Sequence, residues 1–141
     1  MISELELIIR LLLALLLGAL IGQERERGDK PAGLRTHILV SIGSAQFTIL
    51  SFYAFPGSDP SRIATYIVAG VGFIGAGTII QTRDRVTGIT TAATLWVTSS
   101  IGMAVGIGFY TAEIIVAAIS YITLKLAWIE KKLGLHSKKL T

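Results

Sequence analysis

The sequence predicts an all-α, polytopic membrane bundle of five transmembrane helices, with the N-terminus outside the cell and the C-terminus inside. Three observations predict it. The composition is 52% hydrophobic and only 16% charged, whereas a soluble domain carries about 25% charged residues to keep its surface wet. Five apolar stretches each approach the roughly 20 residues that a span requires. Finally, the cations are distributed unequally between the loops that those stretches define.

The spans are expected at about 4–22, 35–55, 62–81, 88–108 and 111–128, all within a single integral-membrane domain over 1–141. The first is not read as a cleaved signal, because Glu4 and Glu6 stand where Lys or Arg belongs and no A-x-A site follows. The last two are nearly contiguous and divide at "GIGFYTAE". There Gly108 can end one helix, Thr111 can cap the next, and Glu113 suits its first turn. With five spans, one side holds Arg25, Arg27, Lys30, Arg35, Arg83, Arg85, Lys131, Lys132, Lys138 and Lys139. The opposite side holds only Arg62 in a loop, so the basic side is assigned to the cytoplasm. Aromatic residues give the same topology, with Tyr53, Tyr66 and Tyr110 near the outer boundary and Trp128 near the inner one.

"YIVAGVGFIGAGTII" contains G-x-G-x-x-G at Gly70, Gly72 and Gly75. A dinucleotide site needs an acidic residue about 20 positions further on, and residues 88–93 read "GITTAA". The motif also lacks the Lys-Ser/Thr end of a P-loop, so no nucleotide is expected. Within a span, glycines instead let helix backbones approach closely. Gly18 with Gly22, and Gly102 with Gly106, repeat that logic at G-x-x-x-G spacing, within one subunit or between subunits.

Polar residues inside lipid need a partner or a task. Arg10 lies in the first span and is expected to pair with Glu6 or Glu113, with an ion or proton path as the sharper alternative. Thr87, Thr90, Thr91, Thr94, Thr98, Gly102 and Gly106 follow three- and four-residue steps and share roughly one face. That face is either a packed seam or one wall of a polar pathway, with Gln46, Thr48 and Thr78 as facing groups. In "GQERERGDKPAGLRTHILV", read as a cytoplasmic loop, Glu24, Glu26 and Asp29 alternate with Arg25, Arg27, Lys30 and Arg35. With Asp84, these carboxylates are candidate ligands for a hard cation, although the interleaved cations favour a solvated salt-bridge loop. His37 is read as a hydrogen-bonding interface residue, and His136 as part of a polar tail. The absence of cysteine removes disulfides and thiolate chemistry, and no nucleophile–base pair stands out, so no enzyme and no cofactor are expected. Nucleic acid is not an expected partner; anionic lipid headgroups are, at Lys131, Lys132, Lys138 and Lys139.

Four blocks in order, "GALIGQERE", "AGLRTHILVSIGSA", "GVGFIGAGTI" and "GITTAATLWVTSSIGMAVGIGFY", resemble the MgtC/SapB family of bacterial membrane proteins. The resemblance is clearest over residues 11–110. It carries over Glu24, Arg25, Glu26, Gly33, Leu34, Arg35, Thr36 and His37, then Gly72, Gly75, Gly77, Gly88, Thr91, Ala92, Ala93 and Trp96. It implies an inner-membrane protein linked to growth under magnesium limitation and, in pathogens, to survival inside host cells. Some members act by contacting other membrane proteins, including the ATP synthase. Many continue into a soluble regulatory domain, whereas this sequence ends shortly after its fifth span, so functions of that domain are not carried over. Thr90 stands where some members have Asn, and no amide-specific role transfers to it. The expected function is therefore a non-enzymatic regulator or interaction protein tied to magnesium and membrane-energy homeostasis, homo-oligomeric, with a dimer expected. The alternative is a small oligomeric transporter or channel using the threonine stripe and the cytoplasmic carboxylates.

Overall fold

Ser3 opens the first helix by accepting a hydrogen bond from the Glu6 N–H at 3.1 Å, and Glu4 and Glu6 complement the positive end of the helix dipole. In the computed structural model, which describes residues 2–132, this helix α1 runs Glu4–Arg27. It continues past the expected boundary at residue 22, so Glu24, Arg25 and Glu26 stand on a helix and not in a loop. The apolar run ends near residue 22. The helix does not stop there, because Glu, Gln and Arg are good helix formers and Arg25 and Arg27 suit a C-terminal turn.

Helix α2 spans Leu34–Tyr53, and its first N–H is capped from afar: Leu34 donates to the Glu26 carboxylate at 2.9 Å. Helix α3 spans Ser61–Ala76 behind Asp59, whose carboxylate accepts the Ser61 N–H at 2.8 Å and the Ser61 hydroxyl at 2.7 Å. The expected third span to residue 81 is cut short. Gly77 interrupts it, and the β-branched residues beyond enter a hairpin of β1 (Ile80–Gln81) and β2 (Val86–Thr87), paired Ile80 with Thr87 and Gln81 with Val86. Gly88 follows at φ +88°, where an added Cβ would collide with the Thr78 carbonyl. Helix α4 spans Ile89–Ile107 and ends, as the sequence predicts, at Gly108 with φ +97°. Helix α5 spans Tyr110–Lys132, so Thr111 lies within it and does not cap it.

The centre of the molecule is the junction of α1, α2 and α4. Helices α2 and α4 run parallel: His37 meets Thr94, Ser44 meets Ser99, and Gly106 lies against Thr48. Helix α1 runs antiparallel to both, with Arg10 beside Gly106 and Arg25 beside Thr91. Both G-x-x-x-G pairs serve this junction within one chain. Gly18 and Gly22 let α1 approach Ser41 and Leu34 of α2, while Gly102 and Gly106 let α4 approach Ser41 and Ala45. Around it, Ala14, Leu17, Ile21, Ile101, Val105, Ala117 and Leu124 form the main apolar core, which brings in α5. Helix α3 packs more loosely on α2 and α4 and buries only Val71 and Gly75.

Among the described residues, α1 and α4 are long and apolar enough to cross a membrane, and α3 is a shorter apolar helix. The polar residues of α2 reduce its apolarity, and several of them are buried inside the bundle: His37, Ser41, Ser44, Thr48 and Ser51. The side chains of Trp128, Lys131 and Lys132, together with His136, Lys138 and Lys139, lie outside the described residues.

Candidate functional site

The buried polar side chains form a seam along the α1–α2–α4 junction, with an arginine near each end. At one end Arg10, only 7% exposed, reaches four groups. Its Nε lies 3.0 Å from the Glu6 carboxylate and 3.3 Å from the Tyr110 hydroxyl, and its Nη1 donates to the Gly106 carbonyl at 2.6 Å and to the Tyr53 hydroxyl at 3.5 Å. The guanidinium also sits 5.9 Å from the centre of the Tyr53 ring. Tyr110 in turn donates to Glu6, which closes the cluster. Of the two expected partners, Glu6 is engaged; Glu113 is buried on α5 but makes no ion pair with Arg10. Glycine at 106 fits here, because its α4 carbonyl must accept from a bulky guanidinium while its Cα packs against α2.

At the other end Arg25 turns inward. Its Nη2 donates to the Thr91 hydroxyl at 3.2 Å, and Glu24 approaches to 3.7 Å. His37 is fully buried, with Nδ1 2.9 Å from the Gly33 carbonyl and Nε2 3.2 Å from the Thr94 hydroxyl. A carbonyl only accepts, so Nδ1 carries a proton, and a neutral ring accepts from Thr94 through Nε2. The Thr94 oxygen also lies 2.8 Å from the Thr91 carbonyl, so its single proton serves one acceptor at a time. Between the ends, the Ser44 and Ser99 hydroxyls bond at 2.8 Å and Thr48 donates to the Ser44 carbonyl at 2.8 Å. Four buried atoms have no hydrogen-bond partner among the described residues: the Ser41 and Thr98 hydroxyls, Arg25 Nε and one Glu24 oxygen.

The predicted threonine face lies within this buried seam, with a correction at its start. Thr91, Thr94 and Thr98 are buried, whereas Thr87 lies on the hairpin and Thr90 is exposed at the first turn of α4. Of the expected facing groups only Thr48 belongs to it. Gln46 is exposed, and Thr78 sits in the turn after α3, where it donates to Gly75. The true opposing face is His37, Ser41, Ser44 and Thr48, whose four-, three- and four-residue steps were available as a signal. Tyr53 and Tyr110 also turn out to be ligands of Arg10 and more than boundary aromatics. Arg35 is exposed, Thr36 half-buried and Trp96 53% exposed, so these three lie off the seam. Among the described residues no three His, Asp or Glu side chains are grouped to hold a metal ion; Glu26 caps α2, Asp29 occupies the turn after α1, and Asp84 lies on the hairpin.

Fold and seam together define a class: a small helical bundle with membrane-length apolar helices and its polar groups turned inward. The chain belongs to the MgtC family, whose profile matches residues 11–132. It is 46% identical over 129 residues to the "Putative magnesium transporter YhiD" of Escherichia coli strain K12, covering 86% of this chain and 60% of that protein. It is 38% identical over 141 residues to "Protein SapB" of Bacillus subtilis strain 168, covering 92% of this chain and 60% of that protein. Against "Protein MgtC" of Salmonella typhimurium strain LT2 it is 50% identical over 101 residues, covering 72% of this chain and 43% of that protein. The chain thus spans about three fifths of the length of the first relatives it matches. No solved structure matches it.

Proposed function

We propose that this chain is the membrane-embedded unit of an MgtC-type protein of the bacterial inner membrane. Its five helices cross the bilayer with the N-terminus outside and the C-terminus inside, and it acts without catalysis, by contact with other membrane proteins or with copies of itself. Its task is linked to magnesium limitation and membrane-energy homeostasis. Family membership supports the assignment, as do the names of relatives that mention magnesium transport or MgtC itself. The parallel course of α2 and α4, with α1 antiparallel to both, is consistent with successive helices threaded back and forth.

The observation that carries the non-transport reading is how the polar seam is used. Ser44 is satisfied by Ser99, His37 Nδ1 by the Gly33 carbonyl, and Arg10 by four protein groups. At Gly102 even a methyl group would collide with the Ser41 carbonyl. Groups bonded to one another across so close a contact hold helices together; they do not line an aqueous path. The second reading, a small transporter, draws on the unpartnered Ser41 and Thr98 hydroxyls at mid-seam and on the name of the Escherichia coli relative.

Reconstitution into liposomes containing a magnesium- or proton-sensitive dye separates the two. The regulator reading expects equal flux from loaded and empty vesicles. Flux that depends on the protein and disappears in Thr98→Val would overturn it in favour of transport.

A further inference from the structure

A cavity of about 690 Å³ runs between α2 and α3 and meets the polar seam only at Ser44 and Ser99. It begins at Thr36 and Ile74 and ends at Phe47 and Ile63. The Ser44 and Ser99 hydroxyls that border it are already bonded to each other, so its wall makes little polar demand. Water is a poor occupant of so apolar a space.

Two glycines give this cavity its breadth. Gly18, Gly22, Gly102 and Gly106 each bring a neighbouring backbone into contact, but a Cβ built on Gly43 or Gly70 meets nothing within 4 Å. Both line the cavity. Here glycine preserves a space instead of closing one.

Length and rim charge point to the occupant. From Thr36 to Phe47 the groove follows α2 for about 16 Å, close to half of a hydrocarbon core about 30 Å thick. Its almost wholly apolar wall suits one hydrocarbon chain lying along α2. The Thr36 end is also the basic end. Arg35 is exposed beside Thr36, Lys30 lies in the turn before α2, and Arg83 and Arg85 lie on the hairpin that follows α3. Asp29 and Asp84 share these turns and leave the cations in excess.

We propose that the α2–α3 groove holds one acyl chain of an anionic phospholipid, with the phosphate at the Thr36 end beside Arg35 and the hairpin arginines. Only the assignment of this lipid to the cytoplasmic leaflet rests on the orientation proposed above.

The test uses the full chain in mild detergent, mixed with equal palmitoyl-chain phosphatidylglycerol and phosphatidylethanolamine and read by native mass spectrometry. One lipid per chain is expected, with phosphatidylglycerol favoured about fivefold through the arginine contacts. Gly43→Leu and Gly70→Leu fill open space at helical positions, so helicity by circular dichroism is expected to be unchanged while the bound lipid is lost. Arg35→Gln is expected to keep one lipid and move the preference towards parity. Undiminished lipid in both leucine variants overturns the proposal, as does equal retention of the two lipids by the unaltered chain. A lipid-free dimer that Gly43→Leu dissociates also overturns it, in favour of a protein interface. Binding in detergent is read without reference to sidedness, so failure here and failure of the topology are separate results.

Discussion

At the residue scale, Arg10 organises the end of the seam nearest the N-terminus. An arginine at the centre of a membrane helix costs about 2.5–3.5 kcal/mol on insertion scales; Arg10 stands nearer the start of α1, so that range is the upper bound of what its contacts with Glu6, Tyr53, Tyr110 and the Gly106 carbonyl offset. Arg10→Ala leaves the Gly106 carbonyl without its charged donor, and a loss of about 2 kcal/mol is expected. Arg10→Lys should recover less than half of that, because one ammonium cannot serve acceptors spread around a planar fork. Thermal unfolding of the detergent-solubilised variants would measure both. Thr94→Val removes the partner of His37 Nε2 and should cost about 1 kcal/mol by the same measurement. The sequence made Arg10 and its Glu6 partner legible from their one-turn spacing. It did not reveal Tyr53 and Tyr110, because both come from distant helix ends and a tyrosine near a boundary has an adequate reason to be there already.

At the element scale, glycines divide by what faces them. Gly102→Ala drives a methyl into the Ser41 carbonyl, so α2 and α4 must separate, and overpacking of this kind costs about 1–3 kcal/mol. Gly72→Ala meets only open space and is expected to be neutral or mildly stabilising. The pair of midpoints in a detergent melt would test the contrast. The start of α3 adds a pH effect. The Ser61 hydroxyl, then the Ser61 N–H, with the nearby Arg62 charge, hold the Asp59 carboxyl below the usual carboxylate range. A depressed folded pKa means the cap is at full strength at neutral pH and is lost as pH falls through that value. In Ser61→Ala the Asp59 midpoint, followed by NMR, should rise. The helices themselves were legible from apolar runs and punctuation such as Gly108. Their true ends were less so: hydropathy registers where the apolar run stops, which α1 overshoots to Arg27, and β-branched apolar residues let the hairpin after α3 pass for more helix.

At the scale of the whole molecule, the proposed threading predicts opposite compartments for the two termini. Reporter fusions at each end should give an external signal at the N-terminus and a cytoplasmic one at the C-terminus; a shared compartment would refute the five-span topology. Which helices touch was beyond the sequence, because period and composition identify a polar face without naming the face that meets it. The partnership of α2 with α4 has a consequence for biosynthesis. The serine face of α2 finds its cover in a helix that ends 54 positions later, at Ile107 against Tyr53. At ribosomal rates that interval is roughly 3–10 s, during which the Ser44 hydroxyl lacks Ser99 and Ser41 and Thr48 lack the α4 glycines that pack on them. A nascent product halted at Gln81 would stay in that unfinished condition permanently, and pulse-chase labelling should find it cleared by membrane quality control well before the intact chain.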